Sequence, residues 1–307
     1  MPRGSTPSQA AAALKAGGLV ILPTETVYGL GADAGDPSAV ARLFEAKGRP
    51  RFNPLIAHVA DLGAARRVAA LDERALALAA AFWPGPVTIV APFREGVCDL
   101  ARAGLETVAV RVPAHPVART VLEAFGGPVV APSANRSGRP SPTTFDDAME
   151  ETGFAAAAAV DGGPCTVGLE STVVASLGGP LRLLRPGGLD RAAIEAVVGP
   201  LAEAETDAKR SPGRLARHYA PTAPLRLEAE GPREGEAYLA FGPWPAGPLV
   251  WNLSPSADVT EAAANLFAHL RAADRARPAG IAVASIPLHG LGEAVADRLK
   301  RAAGFVG

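Results

Sequence analysis

The sequence contains few residues of the kinds that build disulfide frameworks and metal centres. Of its 307 residues only two are cysteines, Cys98 and Cys165, and they form no C-x-x-C pair. A disulfide scaffold and a cysteine-rich zinc site are thereby excluded, and a reducing, cytoplasmic location is favoured. The five histidines show no H-x-x-x-H spacing, so we expect no metal site built from protein side chains.

Long apolar runs and a strong net charge are also missing. No run of about 18 apolar residues occurs, and the segment MPRGSTPSQAAAALKAGG at the start lacks the apolar core of a signal peptide. We therefore expect no membrane partner. The net charge is −1, so the protein as a whole is not a polyanion-binding particle, and any contact with nucleic acid must come from a local patch.

Lysine is scarce in this sequence. The chain has 26 arginines and four lysines, yet Lys47 lies in the basic segment EAKGRPRFNPL at residues 45–55. Arg49 and Arg51 complete a group of three cations within five positions, and the glycine and two prolines of the segment rule out a regular helix or a central strand. We therefore expect an exposed, irregular loop that binds an anion, with a compact ammonium group where a planar guanidinium would not fit.

Strand-like and helix-like segments alternate over residues 1–200. Seven or so apolar strands are predicted, near residues 19, 55, 87, 107, 129, 171 and 181, and some connections are short enough for antiparallel neighbours. This pattern predicts an α/β domain in which helices pack on a sheet. A polar, proline-broken segment at 201–224 is predicted to be a linker, and residues 225–307 a small α/β domain.

Three polar motifs follow directly after apolar strands. They are PTETVYGLG, PAHP and PSANRSGRPSPTT, which begin at residues 23, 113 and 132. Because ligands collect beyond the carboxyl ends of strands in open α/β sheets, these motifs predict one shared polar pocket. Ser133, Asn135, Ser137 and Ser141 of the third motif could wrap a phosphate or a ribose, although an ordinary surface loop is the alternative.

The glycine motifs do not match known nucleotide-binding loops. Gly29-x-Gly31-x-x-Ala34 has the spacing of a dinucleotide-binding fingerprint, but a turn follows it and the next helix starts only near Pro37. The fingerprint requires a helix that opens within the glycine run, so that its N-terminus meets the pyrophosphate. A P-loop pattern is absent, so a nucleotide would have to be bound in another way.

Three other side chains each have two interpretations. Arg111 lies in an apolar strand, where an unpaired guanidinium is costly, so it must meet a carboxylate of the protein or of a ligand. His58 is either a hydrogen-bonded core histidine or a site residue. Arg185 is either an anion contact or a surface charge at the end of a strand. The residues alone leave these alternatives open.

Six ordered motifs together resemble one known family, the YrdC-type threonylcarbamoyl-AMP (L-threonylcarbamoyladenylate) synthases. The motifs are TETVYGLG at 24–31, KGRP with NPL at 47–55, PGPVT at 84–88, PSAN-x-SG at 132–138, G-x-x-STVV at 168–174 and LRPG at 184–187. The resemblance covers roughly residues 7–200, and SPG at 211–213 with RHYAP at 217–221 is similar to the longer, two-domain branch. It implies a twisted mixed sheet with helices around a large concave, positively charged cavity, plus a small Rossmann-like C-terminal domain.

The resemblance also implies a reaction. L-threonine, bicarbonate and ATP, with Mg²⁺ on the nucleotide, would give L-threonylcarbamoyl-adenylate and pyrophosphate. A threonylcarbamoyl transferase complex would then pass the group to an adenosine beside the anticodon of certain tRNAs, with at most a weak contact between this chain and tRNA. The role of the cations would be to offset the repulsion between the attacking carboxylate and ATP, and to stabilise the departing pyrophosphate.

Site residues follow from the same resemblance. It implies that the catalytic residues are Lys47, Arg49, Ser133 and Asn135. It implies that threonine is bound by Thr24, His58, Arg111 and Ser171. It implies that ATP is bound by Lys47, Arg51, Thr107, Ser133, Ser141, Arg185 and Tyr219. The linker at 201–224, which contains Tyr219, is predicted to fold over the nucleotide as a lid, and a tether whose tyrosine merely docks on the domain surface is the alternative.

Two other functions were weighed against this one. A double-stranded RNA or tRNA-binding module without catalysis could use a basic concave surface, but the net charge and the lack of interleaved aromatic and basic residues disfavour it. A related carbamoyl-transferring enzyme of hydrogenase maturation has a similar domain. It also carries acylphosphatase and zinc-finger segments, and this chain has neither.

Overall fold

A computed structural model describes residues 4–203 and 218–304 of the chain. Its helices are α1 (Pro7–Lys15), α2 (Pro37–Lys47), α3 (Leu62–Val68), α4 (Glu73–Phe82), α5 (Asp99–Arg102), α6 (Pro116–Phe125), α7 (Phe145–Thr152), α8 (Arg191–Val198), α9 (Val259–Arg275) and α10 (Gly292–Ala302). A short 3₁₀ turn, Gly153–Ala155, follows α7. None of the helices described is long and apolar enough to cross a membrane.

The strands form two separate sheets. The first ten are β1 (Leu19–Leu22), β2 (Gly29–Asp33), β3 (Ile56–His58), β4 (Val87–Pro92), β5 (Thr107–Arg111), β6 (Val129–Val130), β7 (Ala156–Ala159), β8 (Thr172–Ala175), β9 (Arg182–Arg185) and β10 (Ala202–Glu203). The last four are β11 (Leu225–Arg226), β12 (Glu236–Phe241), β13 (Val250–Ser254) and β14 (Gly280–Val283).

The large sheet is mixed, as predicted, but it contains more strands than the seven or so expected. Its order is β10-β9-β8-β4-β5-β3-β6-β2-β1-β7, with parallel pairs such as β3·β5 and antiparallel pairs such as β4·β5. The sequence pattern missed β2, β7 and β10. Alanine and glycine dominate β2 and β7, and these residues are depleted in strands, so local sequence gave a weak signal for them.

The first glycine motif lies within strand β2. Gly29 and Gly31 pair antiparallel with β1, so the glycine run does not open a helix, and the dinucleotide fingerprint is correctly rejected. Gly31 allows close packing here, because a Cβ on it would lie 2.7 Å from Cδ2 of Leu22. Tight packing between β1 and β2 therefore explains this glycine.

Strand register brings the polar motifs together. His58 at the end of β3 is paired with Arg111 at the end of β5, and these two strands run parallel. An isolated bridge joins Gly29 to Ser133, so strand β2 touches the start of the PSANRSGRPSPTT segment, which begins at residue 132 and which we call the PSAN loop. Strands β4 and β8 are parallel with Val87 opposite Thr172, which places Ser171 beside the same edge. The site residues therefore converge where several strands end.

The second sheet forms a small α/β unit, which confirms the predicted small C-terminal domain type. Its order is β11-β14-β12-β13 with parallel pairing throughout, and helices α9 and α10 pack together beside it. Its hydrophobic core also includes Val27, Leu169 and Tyr219 from outside the unit. We call this part of the chain, residues 225–304, the C-terminal unit.

The predicted domain boundaries stay a prediction. Strand β10 extends the large sheet to Glu203, three residues past the predicted boundary at 200, and buried Leu201 belongs to the main core. Of the predicted linker at 201–224, residues 204–217 lie outside the described residues.

Candidate active site

A cleft with an empty volume of about 570 Å³ opens beside the ends of β3, β5 and β8. Predicted site residues that line it are Thr24, Arg49, His58, Arg111, Ser133, Ser171, Arg185 and Tyr219. The lining also includes Thr26, Val27, Gly29, Ile56, Ala131, Pro132, Glu170 and His218, which the sequence analysis did not assign. The structure thus gathers residues from distant segments of the chain into one pocket.

Arg111 meets a carboxylate of the protein and also lines the cleft. Its guanidinium donates to Oε1 of Glu25 at 2.6 Å and to Oγ1 of Thr26 at 2.9 Å, and it lines the cleft as well. Burial would raise the pKa of Glu25, but the positive charge of Arg111 and several hydrogen bonds outweigh it and lower this pKa. Glu25 therefore stays ionised and fixes the position of the guanidinium.

Several hydroxyl groups line the cleft together with Arg111. Oγ1 of Thr24 lies 2.6 Å from the carbonyl oxygen of Val27, to which it donates, and 2.8 Å from Oγ1 of Thr26. On the other side, Oγ of Ser171 lies 2.7 Å from Oγ1 of Thr88. Such a set of hydroxyls beside one guanidinium suits a small polar ligand with a carboxylate, because each group can donate or accept.

His58 is buried and neutral. Its Nδ1 lies 3.2 Å from the carbonyl oxygen of Ile56, and burial, with Arg111 next, lowers its pKa to about 3. The unfolded chain protonates a histidine near pH 6.5, so between about pH 6.5 and 3 the unfolded state binds the extra proton. The contribution of His58 therefore makes the folded protein less stable as the pH falls through this range.

We expect His58→Asn to reduce this acid sensitivity. The amide can keep the bond to the carbonyl of Ile56 without a titrating ring, so the variant should lose about 2 kcal/mol less unfolding free energy between pH 7 and pH 5. Chemical denaturation at the two pH values measures this difference. His289→Asn, at an exposed histidine, is the control and should behave as wild type. Equal pH dependence of stability in all three proteins would show that His58 is not buried neutral.

Lys47 corrects the expectation of an exposed cationic loop. It is the last residue of α2 and is only 3% exposed, and the chain turns at Gly48 with a left-handed φ of 59°. Its Nζ donates to the carbonyl oxygens of Ser133, at 2.5 Å, and of Asn135. Burial, followed by the charge of Arg49, lowers the pKa of Lys47 well below its ordinary value. The two hydrogen bonds of its Nζ hold the PSAN loop in place beside the cleft.

Arg49 faces the cleft directly. Its guanidinium donates to the carbonyl oxygen of Pro54 at 3.2 Å. Burial lowers its pKa to about 10; of its neighbours, Tyr219 raises this pKa and Arg185 lowers it. Arg49 is still a cation at neutral pH, and a second guanidinium lies close to it.

Asn135 shapes its own loop. Its Nδ2 donates to the carbonyl oxygens of Arg136, at 2.8 Å, and of Arg139, at 2.9 Å. Its Oδ1 is buried and has no hydrogen-bond partner within the described chain. An orphaned buried acceptor is costly, so a ligand donor at this position would be favoured.

Glu170 and His218 were missed by the sequence analysis. Glu170 lies inside the recognised G-x-x-STVV motif, at a position treated as unspecified, and it accepts from Oγ of Ser141 at 2.5 Å. In the sequence, the only indication of Glu170 was its carboxylate within a motif that is rich in hydroxyl side chains.

Arg185 donates to the carbonyl oxygen of Ser171 at 2.8 Å, so it is a buried pocket residue and not a surface charge.

Of the predicted ATP contacts, four are not among the residues that line the cleft: Lys47 and Ser141, which bind the lining residues Ser133 and Glu170, and Arg51 and Thr107. Arg51 is exposed on the turn after Arg49. Thr107 begins β5, at the opposite end of the strand from Arg111, but alternation puts both residues on one face of the sheet. Their roles therefore stay predictions. Within residues 4–203 and 218–304 no group of three or more His, Cys, Asp or Glu side chains could hold a metal ion.

Two family models match the chain. The Sua5/YciO/YrdC model, described as "Telomere recombination", matches residues 12–187. The model "Threonylcarbamoyl-AMP synthase, C-terminal domain" matches residues 189–304.

Full-length relatives agree with these matches. The threonylcarbamoyl-AMP synthase of Bacillus subtilis (strain 168) is 40% identical, with 97% of this chain and 92% of the relative covered. That of Pyrococcus abyssi (strain GE5 / Orsay) is 41% identical, with 96% and 93% covered.

Solved structures show the same similarity. P. abyssi Sua5 complexed with L-threonine superposes with a TM-score of 0.91 at 40% identity, covering 97% of this chain and 94% of the other. A P. abyssi Sua5 variant, in which an adjacent histidine and tyrosine are replaced by alanine, superposes with a TM-score of 0.89 at 39% identity, covering 97% and 93%. The fold, the pocket and these matches together show that the chain belongs to the Sua5 family of threonylcarbamoyl-AMP synthases, which are nucleotidyltransferases.

Proposed function

We propose that the cleft makes L-threonylcarbamoyl-adenylate from L-threonine, bicarbonate and ATP and releases pyrophosphate. The observation that carries this proposal is the pairing of two features in one cleft. Arg111 and several hydroxyl groups line the cleft, and so do the guanidinium groups of Arg49 and Arg185. The first suits threonine and the second suits a triphosphate.

The threonine half of the site is assigned to Thr24, His58, Arg111 and Ser171. The L-threonine complex of P. abyssi Sua5 supports this half, because that protein superposes on nearly the whole chain. The guanidinium of Arg111 would bind the substrate carboxylate, since Glu25 occupies only part of its donor set. Neutral His58 would present its apolar ring edge and one acceptor to the substrate.

The nucleotide half is assigned to Arg49, Ser133, Ser141, Arg185 and Tyr219, with Lys47 and Asn135 shaping the loop. The amine of threonine first attacks the carbon of bicarbonate, a C–O bond of bicarbonate breaks, and the oxygen leaves as water with a proton of the amine, which gives N-carboxy-threonine. A carboxylate oxygen of that intermediate then attacks the α-phosphorus of ATP, and the bond from phosphorus to the pyrophosphate oxygen breaks. Fixed cations stabilise the charge on the departing pyrophosphate, and the attacking oxygen needs no proton transfer.

Mg²⁺ is proposed to enter with the nucleotide. Glu170 is the one carboxylate among the residues that line the described cleft, and its oxygens already bind Ser141 and Arg298. The other charged side chains of the cleft lining are arginines, so the cleft fits phosphates better than it fits a free divalent ion.

Tyr219 is proposed to cover the nucleotide. It is 1% exposed, lines the cleft and has a left-handed φ of 62°, a conformation that costs energy in a residue with a Cβ. The chain has a single adjacent His–Tyr pair, His218–Tyr219. Because the product is a reactive mixed anhydride, an aromatic cover that excludes water would protect it from hydrolysis.

Tyr219→Ala is expected to lower adenylate formation by ~10-fold or more and to raise the fraction of product lost as free AMP. Tyr219→Phe is the matched control, because it keeps the ring and should keep the product intact. Chromatography of threonylcarbamoyl-AMP and AMP over time measures both effects. The His–Tyr variant of P. abyssi Sua5 supports the expectation that such a variant folds. Wild-type product lifetime in Tyr219→Ala would show that Tyr219 does not cover the product.

The reaction is tested by pyrophosphate release. We expect release from ATP to require both L-threonine and bicarbonate, and mass spectrometry to identify threonylcarbamoyl-AMP as the product. Release that is independent of threonine would contradict the proposal.

The same proposal has three further parts. A partner complex transfers the group to an adenosine beside the tRNA anticodon, this chain makes at most a weak contact with tRNA, and its location is cytoplasmic. RNA binding alone explains the site less well, since Lys47 is buried and cannot meet a phosphate backbone.

A further inference from the structure

Arg298 is a large, fully buried side chain in the C-terminal unit, and it contacts residues that line the active-site cleft. Its side chain is 1% exposed. Its Nε donates to Oε2 of Glu170 at 2.8 Å, its Nη2 to the carbonyl oxygen of Pro186 at 3.0 Å, and its Nη1 to Oδ2 of Asp297 at 2.6 Å. The carbon of its guanidinium lies 5.1 Å from the centre of the Tyr219 ring. One arginine of helix α10 thus contacts two residues that line the cleft.

We propose that Arg298 is a positioning residue for the nucleotide half of the site, through which the C-terminal unit takes part in ATP binding. This inference rests on the proposed function. Arg298 does not line the cleft, so it acts through Glu170 and Tyr219.

The first route runs through Glu170. One carboxylate oxygen accepts from Arg298, and the other accepts from the hydroxyl of Ser141, a proposed ATP contact. Burial would raise the pKa of Glu170, but the charge of Arg298, followed by that of Arg185 and by the hydrogen bonds from Ser141 and Arg298, outweighs it and lowers this pKa, so the carboxylate stays ionised. Without Arg298, the buried carboxylate would turn towards the remaining cation, Arg185, and would neutralise a charge that ATP needs.

The second route runs through Tyr219. Its ring packs between the guanidinium of Arg298 and the ring of Phe267 on α9, whose centre is 5.4 Å away. A guanidinium over an aromatic ring is attractive, and it fixes the ring position. The backbone is held as well, because the N–H of His218 donates to the carbonyl of Arg301 at 3.3 Å. Helix α10 therefore supports the residue proposed to cover the nucleotide.

A purely structural role for Arg298 predicts a different result from a positioning role. A structural ion pair that is lost lowers the melting temperature but leaves substrate affinity unchanged in the protein that remains folded. A positioning residue changes the affinity for ATP and leaves the affinity for threonine nearly unchanged, because Thr24 and Arg111 have no contact with Arg298. The comparison of the two affinities separates these roles.

The experiment uses the full chain with Arg298→Lys, and measures KM for ATP and for threonine together with the Kd for ATP alone. Lysine keeps a positive charge for Glu170 but cannot keep all three hydrogen bonds and lie over Tyr219. We expect KM and Kd for ATP to rise ~10-fold or more, the effect of one charge-assisted hydrogen bond, with KM for threonine within about twofold of wild type.

Two further variants complete the test. Arg301→Gln is the control: Arg301 lies on the same helix and pairs with Asp297 but does not contact Glu170 or Tyr219 through its side chain, so both affinities should match wild type. The double variant Glu170→Gln/Arg298→Met removes both buried charges, so it avoids an unpaired carboxylate and should also bind ATP more weakly.

The outcomes are separable. A lower melting temperature with wild-type KM and Kd for ATP in both Arg298 variants would overturn the positioning role. If the wild-type chain binds ATP but releases no pyrophosphate, the proposed function fails, while the Kd for ATP of each variant still decides whether Arg298 positions the pocket.

Discussion

Arg49→Met is expected to lower the rate of adenylate formation by ~10²-fold or more, which is the effect of losing one preorganised electrostatic contact. Arg49 lines the cleft and remains a cation despite a pKa lowered, mainly by burial, to about 10. Among the described residues, the hydrogen-bond partners of its guanidinium are two backbone carbonyls of its own turn, those of Asn53 and Pro54. Most of its charge is therefore available to the phosphates, and the loss should appear mainly in kcat/KM for ATP.

The control for Arg49 is Arg67→Met, which removes an exposed arginine on helix α3 and should leave the rate at the wild-type value. Initial rates of pyrophosphate release under saturating threonine and bicarbonate compare the three proteins. Activity within threefold of wild type in Arg49→Met would remove this residue from the catalytic set.

Lys47→Met should differ from Arg49→Met in its effects, because it should lower both the activity and the stability of the protein. The substitution leaves the carbonyl oxygens of Ser133 and Asn135 buried without their donor. Each unsatisfied buried acceptor costs about 1–3 kcal/mol, so the loss of the donor to two of them should lower the free energy of unfolding by roughly 2–6 kcal/mol. The PSAN loop then loses its fixed geometry, and adenylate formation should fall by ~10²-fold or more.

Lys15→Met, at an exposed lysine of helix α1, is the matched control for stability. Lys47→Arg tests the fit of the ammonium group: the longer, planar guanidinium should not fit between two carbonyls in this buried space, so activity should remain low. Chemical denaturation and rate measurements on the same samples check both parts. A Lys47→Met protein as stable as wild type would show that the buried contacts do not hold the loop.

Much of the site could be predicted from sequence, since motifs report local chemistry well. The cationic segment, the hydroxyl-rich turns after strands and the buried Arg111 were all identified as site elements, and the structure brings most of them into one cleft. Their burial was not predictable. Lys47 was expected on an exposed loop, because a glycine and two prolines follow it, but the α2 helix continues through it and packs it under the PSAN loop.

Contacts between distant segments were also beyond the sequence pattern. Glu170 lies between hydroxyl-bearing motifs, and its partner Arg298 follows 128 positions later in a helix that looks like an ordinary amphipathic helix. Short strands of alanine and glycine, such as β7, form because neighbouring strands supply the hydrogen bonds, and local preference contributes little. The number of strands was therefore underestimated, whereas the class of fold was not.

Glu151 on helix α7 lies with its carboxylate fully buried beside the PSAN loop. Arg136 and Arg139 of that loop reach it at 3.3 and 3.0 Å, and Arg271 of helix α9 reaches it at 3.1 Å. Arg271 also donates to the carbonyl oxygen of Pro140 at 2.5 Å. The same cluster of charges is thus shared by the PSAN loop and the C-terminal unit.

Glu151 and Glu170 both pair with arginines of the C-terminal unit, and these pairs affect how the protein denatures. If the C-terminal unit separated from the rest, two buried carboxylates would lose an arginine each, and breaking one buried pair costs about 3–5 kcal/mol. That penalty opposes any partly unfolded species in which one half has melted and the other has not. Heating should therefore melt both halves in one cooperative transition. If the chain is cut between them, neither half should stay folded alone.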